Sequence, residues 1–367
     1  MKAKILFLVQ LPPPIHGASA VNKSIQLSPL INEKYATEFV NISPASDLAD
    51  IGKPSFNKII KLFVIFSRSI FAFLKFKPDL VYITLSPHGL AFYKDGLLAL
   101  ILKALGGKLV FHLHGKGINK ESTNSRFKRV IYTKVFKRVS IIHLSDRLFS
   151  DVDGIRDPQM PIISIPNGIE APEFPSNIPQ KNIITFVYLS NLIRAKGADI
   201  LIRAVELIDD RYSNLFQVKI IGKESTSAYA EELKTLLTPN LARRIEILGP
   251  KYGKDKIYEL CSSDVFVLPT KNDCFPLTIL EAMATGLAVI STNEGAIAEI
   301  VDHGVTGDIL HETSPEALAE AMMKYIESPD YAKQCAKNGR DKFTKLYTTE
   351  HFEKKLCASF DNFLNSK

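Results

Sequence analysis

The stretch that decides the fold runs from Asp264 to Gly286 and reads D-V-F-V-L-P-T-K-N-D-C-F-P-L-T-I-L-E-A-M-A-T-G. Residues 265–268 are a short apolar run suited to a buried parallel strand. Residues 269–274 are polar and loop-like. Pro276 stands where a helix likes to begin, because its missing N–H would go unpaired there anyway. Good helix formers continue to Thr285, and Gly286 supplies the stop. Such a helix places Thr278, Glu281, Ala282 and Thr285 on one face and turns Ile279, Leu280 and Met283 towards a core.

The start of that helix, near Phe275, Leu277 and Thr278, offers unpaired N–H groups and a positive dipole end, which suit a phosphate. Asp273 in the loop and Glu281 one turn inside bracket it. Carboxylates repel phosphate, so these two fit hydroxyl groups better. Phosphate plus hydroxyls suggests a sugar nucleotide. The pair, with F-P-L-T-I-L-E-A-M-A around it, resembles the acid-x7-acid signature of retaining glycosyltransferases of the GT-B class, family 4 or group 1 type. That class includes glycogen and sucrose synthases and many bacterial surface polysaccharide transferases. Relatives usually carry Glu at the first position, where this chain has Asp273. The plain alternative is an ordinary strand–loop–helix with two solvated acids.

At 367 residues the chain has room for two domains. Hydrophobic content of 46% and charged content of 23% are those of a soluble globular protein. The four cysteines, Cys261, Cys274, Cys335 and Cys357, show no paired spacing, so free thiols in a reducing cytoplasm are expected, with no structural metal. The N-terminal apolar run is too short for a signal-peptide core and suits a first strand. Residues 1–173 hold 23 Lys and Arg against 13 Asp and Glu, while the remainder is slightly acidic. A basic first half points to an anionic partner, either a membrane surface or nucleic acid, and no nucleic-acid recognition motif accompanies it.

Taken in order, the first strand over residues 5–9 leads into a proline-rich loop ending at His16 and Gly17, with helical periodicity from Ala20 to Ile31. Residues 56–77, from Phe56 to Lys77, mix Phe, Ile and Leu with Lys and Arg. They are too interrupted by Lys61 and Arg68 to span a bilayer. They read either as a membrane-surface helix or as a helix packed on the sheet with snorkelling cations. Strands follow over 79–84 and 109–113, with an apolar helix over 97–105 between them. His114 sits at the C-terminal end of the second of these strands, where α/β folds place their sites. His112 alternates to the same face, so the choice between them stays open. A strand over 139–145 and the run I-P-N-G-I-E ending at Glu170 precede a proline-rich linker over 172–179.

The second half opens with a strand over 183–189 and the turn S-N-L-I-R-A-K-G, ending at Gly197. Two cations at such a turn, Arg194 and Lys196, suit a diphosphate. Further strands are expected over 217–222, 244–249 and 288–291, with a last strand ending at Leu310. Lys223 and the turn over 250–253 are placed to flank a nucleotide base. Residues 314–367 read as helical throughout.

Two rounds of β/α alternation imply two doubly wound, Rossmann-like parallel sheets. The resemblance, which spans nearly the whole chain and is strongest in the second half, implies a GT-B α/β fold with the two domains facing across a cleft. It implies an acceptor-binding domain over 1–172, a nucleotide-sugar domain over 173–345 and a helix over 346–367 crossing back to the first. Catalytic positions carried over are His114, Asp273 and Glu281. Donor-binding positions are Gly17, Asn191, Arg194, Lys196, Phe275, Leu277, Thr278 and Glu281. Relatives place Gly-Arg where this chain has Ser190 and Asn191, so Lys196 transfers and that arginine does not, leaving Arg194 as a candidate substitute. Relatives also have a glycine pair where this chain has His16 and Gly17.

The class usually needs no metal, so no cofactor is expected. The implied activity is hexosyl transfer from a nucleotide-diphosphate sugar, UDP-sugar favoured, to a saccharide acceptor carried on a lipid. The setting would be surface polysaccharide synthesis at the inner membrane face, with residues 56–77 against an anionic membrane. A sugar-nucleotide epimerase of the same architecture and a non-catalytic sugar-nucleotide-binding subunit are the alternatives.

Overall fold

Val265–Leu268 forms a fully buried strand in the middle of a six-stranded sheet, paired in parallel with strands on both sides. The computed structural model describes residues 1–43, 56–178, 183–208 and 210–365, with the backbone alone for 56–59. Among these the chain divides into two compact units. One comprises Met1–Gly168 with Thr349–Lys367, the other Ile169–Thr348.

The first unit carries β1 (Lys4–Val9), β2 (Ala36–Asn41), β3 (Leu80–Thr84), β4 (Leu109–Leu113), β5 (Val139–His143) and β6 (Ile162–Ser164). All pair in parallel, in the order β2-β1-β3-β4-β5-β6. The helices Phe56–Phe76, Gly89–Ala104 and Arg126–Phe136 share one core with this sheet, through Phe73, Leu98 and Phe136 packed on Val81, Phe111 and Ile141. The C-terminal helix Thr349–Asn365 also belongs to this unit. Its Phe360 ring lies 5.9 Å from Phe7 and 5.8 Å from Tyr82. Tyr35 donates to the Cys357 carbonyl at 2.8 Å and to Asp361 at 2.7 Å.

The second unit carries β7 (Ile184–Leu189), β8 (Phe216–Ile221), β9 (Ile245–Gly249), β10 (Val265–Leu268), β11 (Ala288–Thr292) and β12 (Gly307–Leu310). Their order is β12-β11-β10-β7-β8-β9, again all parallel. The chain builds outward from β7 in one direction, then restarts at β10 on its other side. The β7/β10 boundary is therefore the topological switch point, outside whose strand C-termini doubly wound folds hold their ligands.

Four features differ from the sequence expectation. Strand β2 fills a stretch that periodicity left unread, because its residues are only half-buried and show no clean alternation. The first helix runs over Gly17–Leu27 and stops at Ser28, whose extended backbone and hydroxyl cap a second helix, Pro29–Lys34. The helix expected from Leu97 begins at Gly89. The helical C-terminal region is three helices, Pro315–Glu327, Pro329–Leu346 and Thr349–Asn365. Pro329 cannot continue its predecessor, having no N–H to donate. Pro179, the last residue of the expected linker, lies outside the described residues.

Candidate functional site

Two loops meet at the switch point of the second sheet, one after β7 and one after β10. Gly197 adopts a left-handed φ of +78°, and a Cβ there would lie 2.2 Å from the Pro269 carbonyl oxygen. Only glycine tolerates both the angle and the approach. The contact is stitched by the Ala195 carbonyl, which accepts from the Lys271 amide at 2.8 Å and the Thr270 hydroxyl at 3.0 Å. Lys196 then reaches over the β10 loop, donating to the Asn272 carbonyl at 3.0 Å and to the Asp273 carboxylate at 2.6 Å. The other Asp273 oxygen accepts from the Cys274 amide at 3.0 Å. From the opposite side Gly295, at φ +56°, packs so closely that a Cβ would meet the Asp273 carbonyl oxygen at 2.5 Å. The Ala296 amide donates to the Cys274 carbonyl at 2.9 Å. Asp273 is thus held by three segments of chain.

The helix expected from the sequence is present as Leu277–Thr285, ending at Gly286 with φ +79°. Pro276 caps its start without any side-chain hydrogen bond, so the first-turn amides near Leu277 and Thr278 have no side-chain cap. Those two residues are half-buried, as is Glu281, whereas Ala282 and Thr285 are buried. The Thr285 hydroxyl turns back to the Glu281 and Ala282 carbonyls. One Glu281 oxygen accepts from Lys256 at 2.7 Å, and the other is buried without a hydrogen-bond partner. Beside Glu281 and Lys256 lies an open cavity of about 950 Å³, lined also by Tyr258, Glu170, Pro172 and Phe174. A buried carboxylate oxygen lacking a donor is a costly arrangement that a ligand hydroxyl would relieve.

Other predicted residues stand elsewhere. Phe275 is buried, its ring 6.0 Å edge-on from Tyr347. Asn191 is exposed at the head of the β7 loop. Arg194 does not join Lys196. Its guanidinium pairs in bidentate fashion with Glu232, one contact at 2.9 Å, and lies over the Tyr229 ring at 5.1 Å.

In the first unit, His114 follows β4 with both ring nitrogens buried and unpartnered. Burial, with the nearby His143 and His16, lowers its pKa to about 3. His112 is engaged within the strand layer, its Nδ1 against the Tyr82 hydroxyl and its ring 4.0 Å from that of His114. His143 is likewise lowered to about 3 by burial. His16 is a helix N-cap rather than plain loop: its Nδ1 accepts from the Ser19 amide, and the Ser19 hydroxyl accepts from the His16 amide at 2.9 Å. Gly17 opens that helix with nothing within 4 Å of where its Cβ would stand.

Sequence reasoning missed Lys256 and Gly295. A glycine four residues after the strand expected over 288–291 was a usable signal for Gly295. Nothing in local pattern distinguishes Lys256 from other surface lysines.

The two parallel sheets with these switch-point loops define a GT-B architecture. Residues 170–342, nearly the whole second unit, match the family model of glycosyl transferases group 1. The lipopolysaccharide core biosynthesis mannosyltransferase LpcC of Rhizobium leguminosarum is 33% identical over 141 residues, 37% of this chain and 39% of LpcC. The amylovoran biosynthesis glycosyltransferase AmsK of Erwinia amylovora is 26% identical over 235 residues, 61% of this chain and 56% of AmsK. The chain thus spans about half the length of these curated relatives. In fold it matches Anabaena HepE, solved with UDP and glucose, at a TM-score of 0.73 and 19% identity over 98% of this chain and 100% of HepE.

Proposed function

We propose that the protein transfers a hexose, with retention of configuration, from a nucleoside-diphosphate sugar to a saccharide acceptor carried on a lipid. The observation that carries this reading is the pairing of Lys196 with Asp273 beside the uncapped start of helix Leu277–Thr285. One cation and a set of backbone N–H groups suit a diphosphate, and the two acids suit hydroxyls. Lys196 and the amides near Leu277 and Thr278 take the charge of the departing diphosphate. The unpartnered Glu281 oxygen receives ribose hydroxyls, and Asp273 those of the donor sugar. His114, neutral in its buried setting, is assigned to the sugar or acceptor. The acceptor hydroxyl arrives on the face the diphosphate leaves, and a phosphate oxygen takes its proton. No metal is required in this scheme. The likeness to LpcC, of lipopolysaccharide core biosynthesis, and AmsK, of amylovoran biosynthesis, supports surface polysaccharide assembly as the setting, and UDP in HepE favours a uridine donor.

Arg194 favours one second reading. With its guanidinium engaged by Glu232, charge at the β7 loop is reduced, as in a subunit that binds nucleotide sugar without turning it over. The test is a thermal-shift screen of nucleotide sugars followed by nucleotide-release assays with lipid-linked saccharides, on wild type, Asp273→Ala and Glu281→Ala. Acceptor-dependent release, lost in both variants, supports transfer. Binding without release from any acceptor favours the second reading, and altered sugar nucleotide without acceptor indicates epimerisation.

A further inference from the structure

The first unit carries apolar surface that its core does not use. On helix Phe56–Phe76, Ile65, Ser69, Ala72 and Phe73 face inward, yet Phe63 is 75% exposed and Ile60, Val64, Phe71 and Leu74 are also exposed. At 100° per residue these five fall on one outward stripe. Lys61, Arg68 and Lys75, spaced by seven, form an exposed column along its edge. The neighbouring helix Gly89–Ala104 continues the pattern with exposed Leu90, Tyr93 and Leu97 at i, i+3 and i+7. Helix Arg126–Phe136 adds Phe127, 75% exposed, and Val130, with exposed Arg126, Arg129 and Lys134 around them. Between these last two helices lies an apolar cavity of about 180 Å³, lined by Tyr93, Gly96, Leu97, Ile131 and Val135. The first and third helices contain no acidic residue. None of the described helices is long and apolar enough to cross a membrane.

We propose that these three helices, which share one core on one sheet face, together form a docking surface for an anionic lipid bilayer. Scattered exposed hydrophobics are ordinary, but large apolar side chains grouped on three adjacent helices and edged by cations mark an interaction surface. Charge identifies the occupant. A protein partner would have to supply matching acids, whereas an anionic leaflet meets every cation while the aromatic and aliphatic side chains enter the acyl boundary. Docking spreads over the layer rather than residing in the first helix alone. The proposal bears on the lipid-carried acceptor above, but its test needs neither donor nor acceptor, so failure of one leaves the other standing.

The full chain is sedimented with phosphatidylcholine vesicles and with vesicles also containing phosphatidylglycerol. Binding is expected only to the latter and should weaken with salt. Lys61→Gln, Arg68→Gln and Lys75→Gln together should lower partitioning on the order of a hundredfold. Leu97→Ser with Phe127→Ser, away from the first helix, should lower it by roughly tenfold or more. All changed positions are exposed, so thermal melts should match wild type. Equal binding to neutral vesicles overturns the charge argument, and full binding by the Leu97/Phe127 variant overturns the three-helix surface. Self-association that these substitutions abolish, with no vesicle binding, would make the face a protein interface and sink the proposal.

Discussion

Lys196 crosses from the loop after β7 to the loop after β10 and closes on Asp273 at 2.6 Å. Both side chains are mostly shielded, at 21% and 16% exposure, so their attraction is less screened than that of a surface pair. Under the proposed function, a diphosphate arriving here would compete with Asp273 for Lys196, which would couple the two residues to each other and to the ligand.

Lys196→Ala is expected to lower kcat/KM by about 10²–10³, the scale of losing one preorganised charge at a developing oxyanion. Asp273→Asn should act in opposite senses on two readouts. It frees Lys196 and so tightens binding of UDP itself, while transfer slows because the sugar loses a charged acceptor. Calorimetry with UDP beside steady-state kinetics checks both, and weaker UDP binding by the Asn variant would contradict the coupling.

Arg194→Ala should change donor affinity less than about threefold. Its exposed pairing with Glu232 belongs to a class of ion pair worth about 0–1 kcal/mol, and the guanidinium is not directed to the Lys196–Asp273 pair. Donor titrations of the variant decide this, and a loss comparable to that of Lys196→Ala would show that the arginine moves to the ligand.

Gly295→Ala should destabilise the second unit by about 1–3 kcal/mol, since the left-handed backbone and the 2.5 Å approach to the Asp273 carbonyl oppose any side chain. Because the residue abuts the Asp273 loop, donor binding should fall together with the melting temperature. Differential scanning fluorimetry with and without UDP measures both.

The buried histidines give the first unit a signed response to acid. His114 and His143 are lowered to about 3 from a usual 6.5, and His112 lies well below it, burial being the main cause in each case. Above the usual value none is protonated in either state, and they add no pH dependence. As pH falls through 6.5 towards 3 the unfolded chain takes up protons that the fold refuses, so stability is progressively lost. Urea midpoints for the first unit should fall between pH 7.5 and 5.5, and a His143→Gln variant should show a shallower decline.

Much of the second unit was legible because its signals are local. Val265–Leu268 is uniformly apolar, Pro276 and Gly286 punctuate the helix, and the acids are spaced by chain geometry alone. What escaped depends on distant partners. Arg194 turns to Glu232 because that carboxylate and the Tyr229 ring stand on another helix, and Lys256 reaches Glu281 from 25 positions away. Strand β2 was unreadable because half-buried residues carry no period-two pattern. His112 and His114 shared a strand face, and only the Tyr82 hydroxyl distinguishes the engaged ring from the unpartnered one.

The helix Thr349–Asn365 completes a unit whose first segment ends at Gly168, some 180 residues earlier in the chain. Its Phe360 packs on Phe7 and Tyr82, and its Asp361 accepts from Tyr35. During synthesis the first sheet therefore emerges from the ribosome long before the side chains that cover Phe7 and Tyr82 exist. It must wait, partly bare, while the whole intervening unit is translated. Folding order and translation order differ in this chain, and the interval between them is where a chaperone has most to protect.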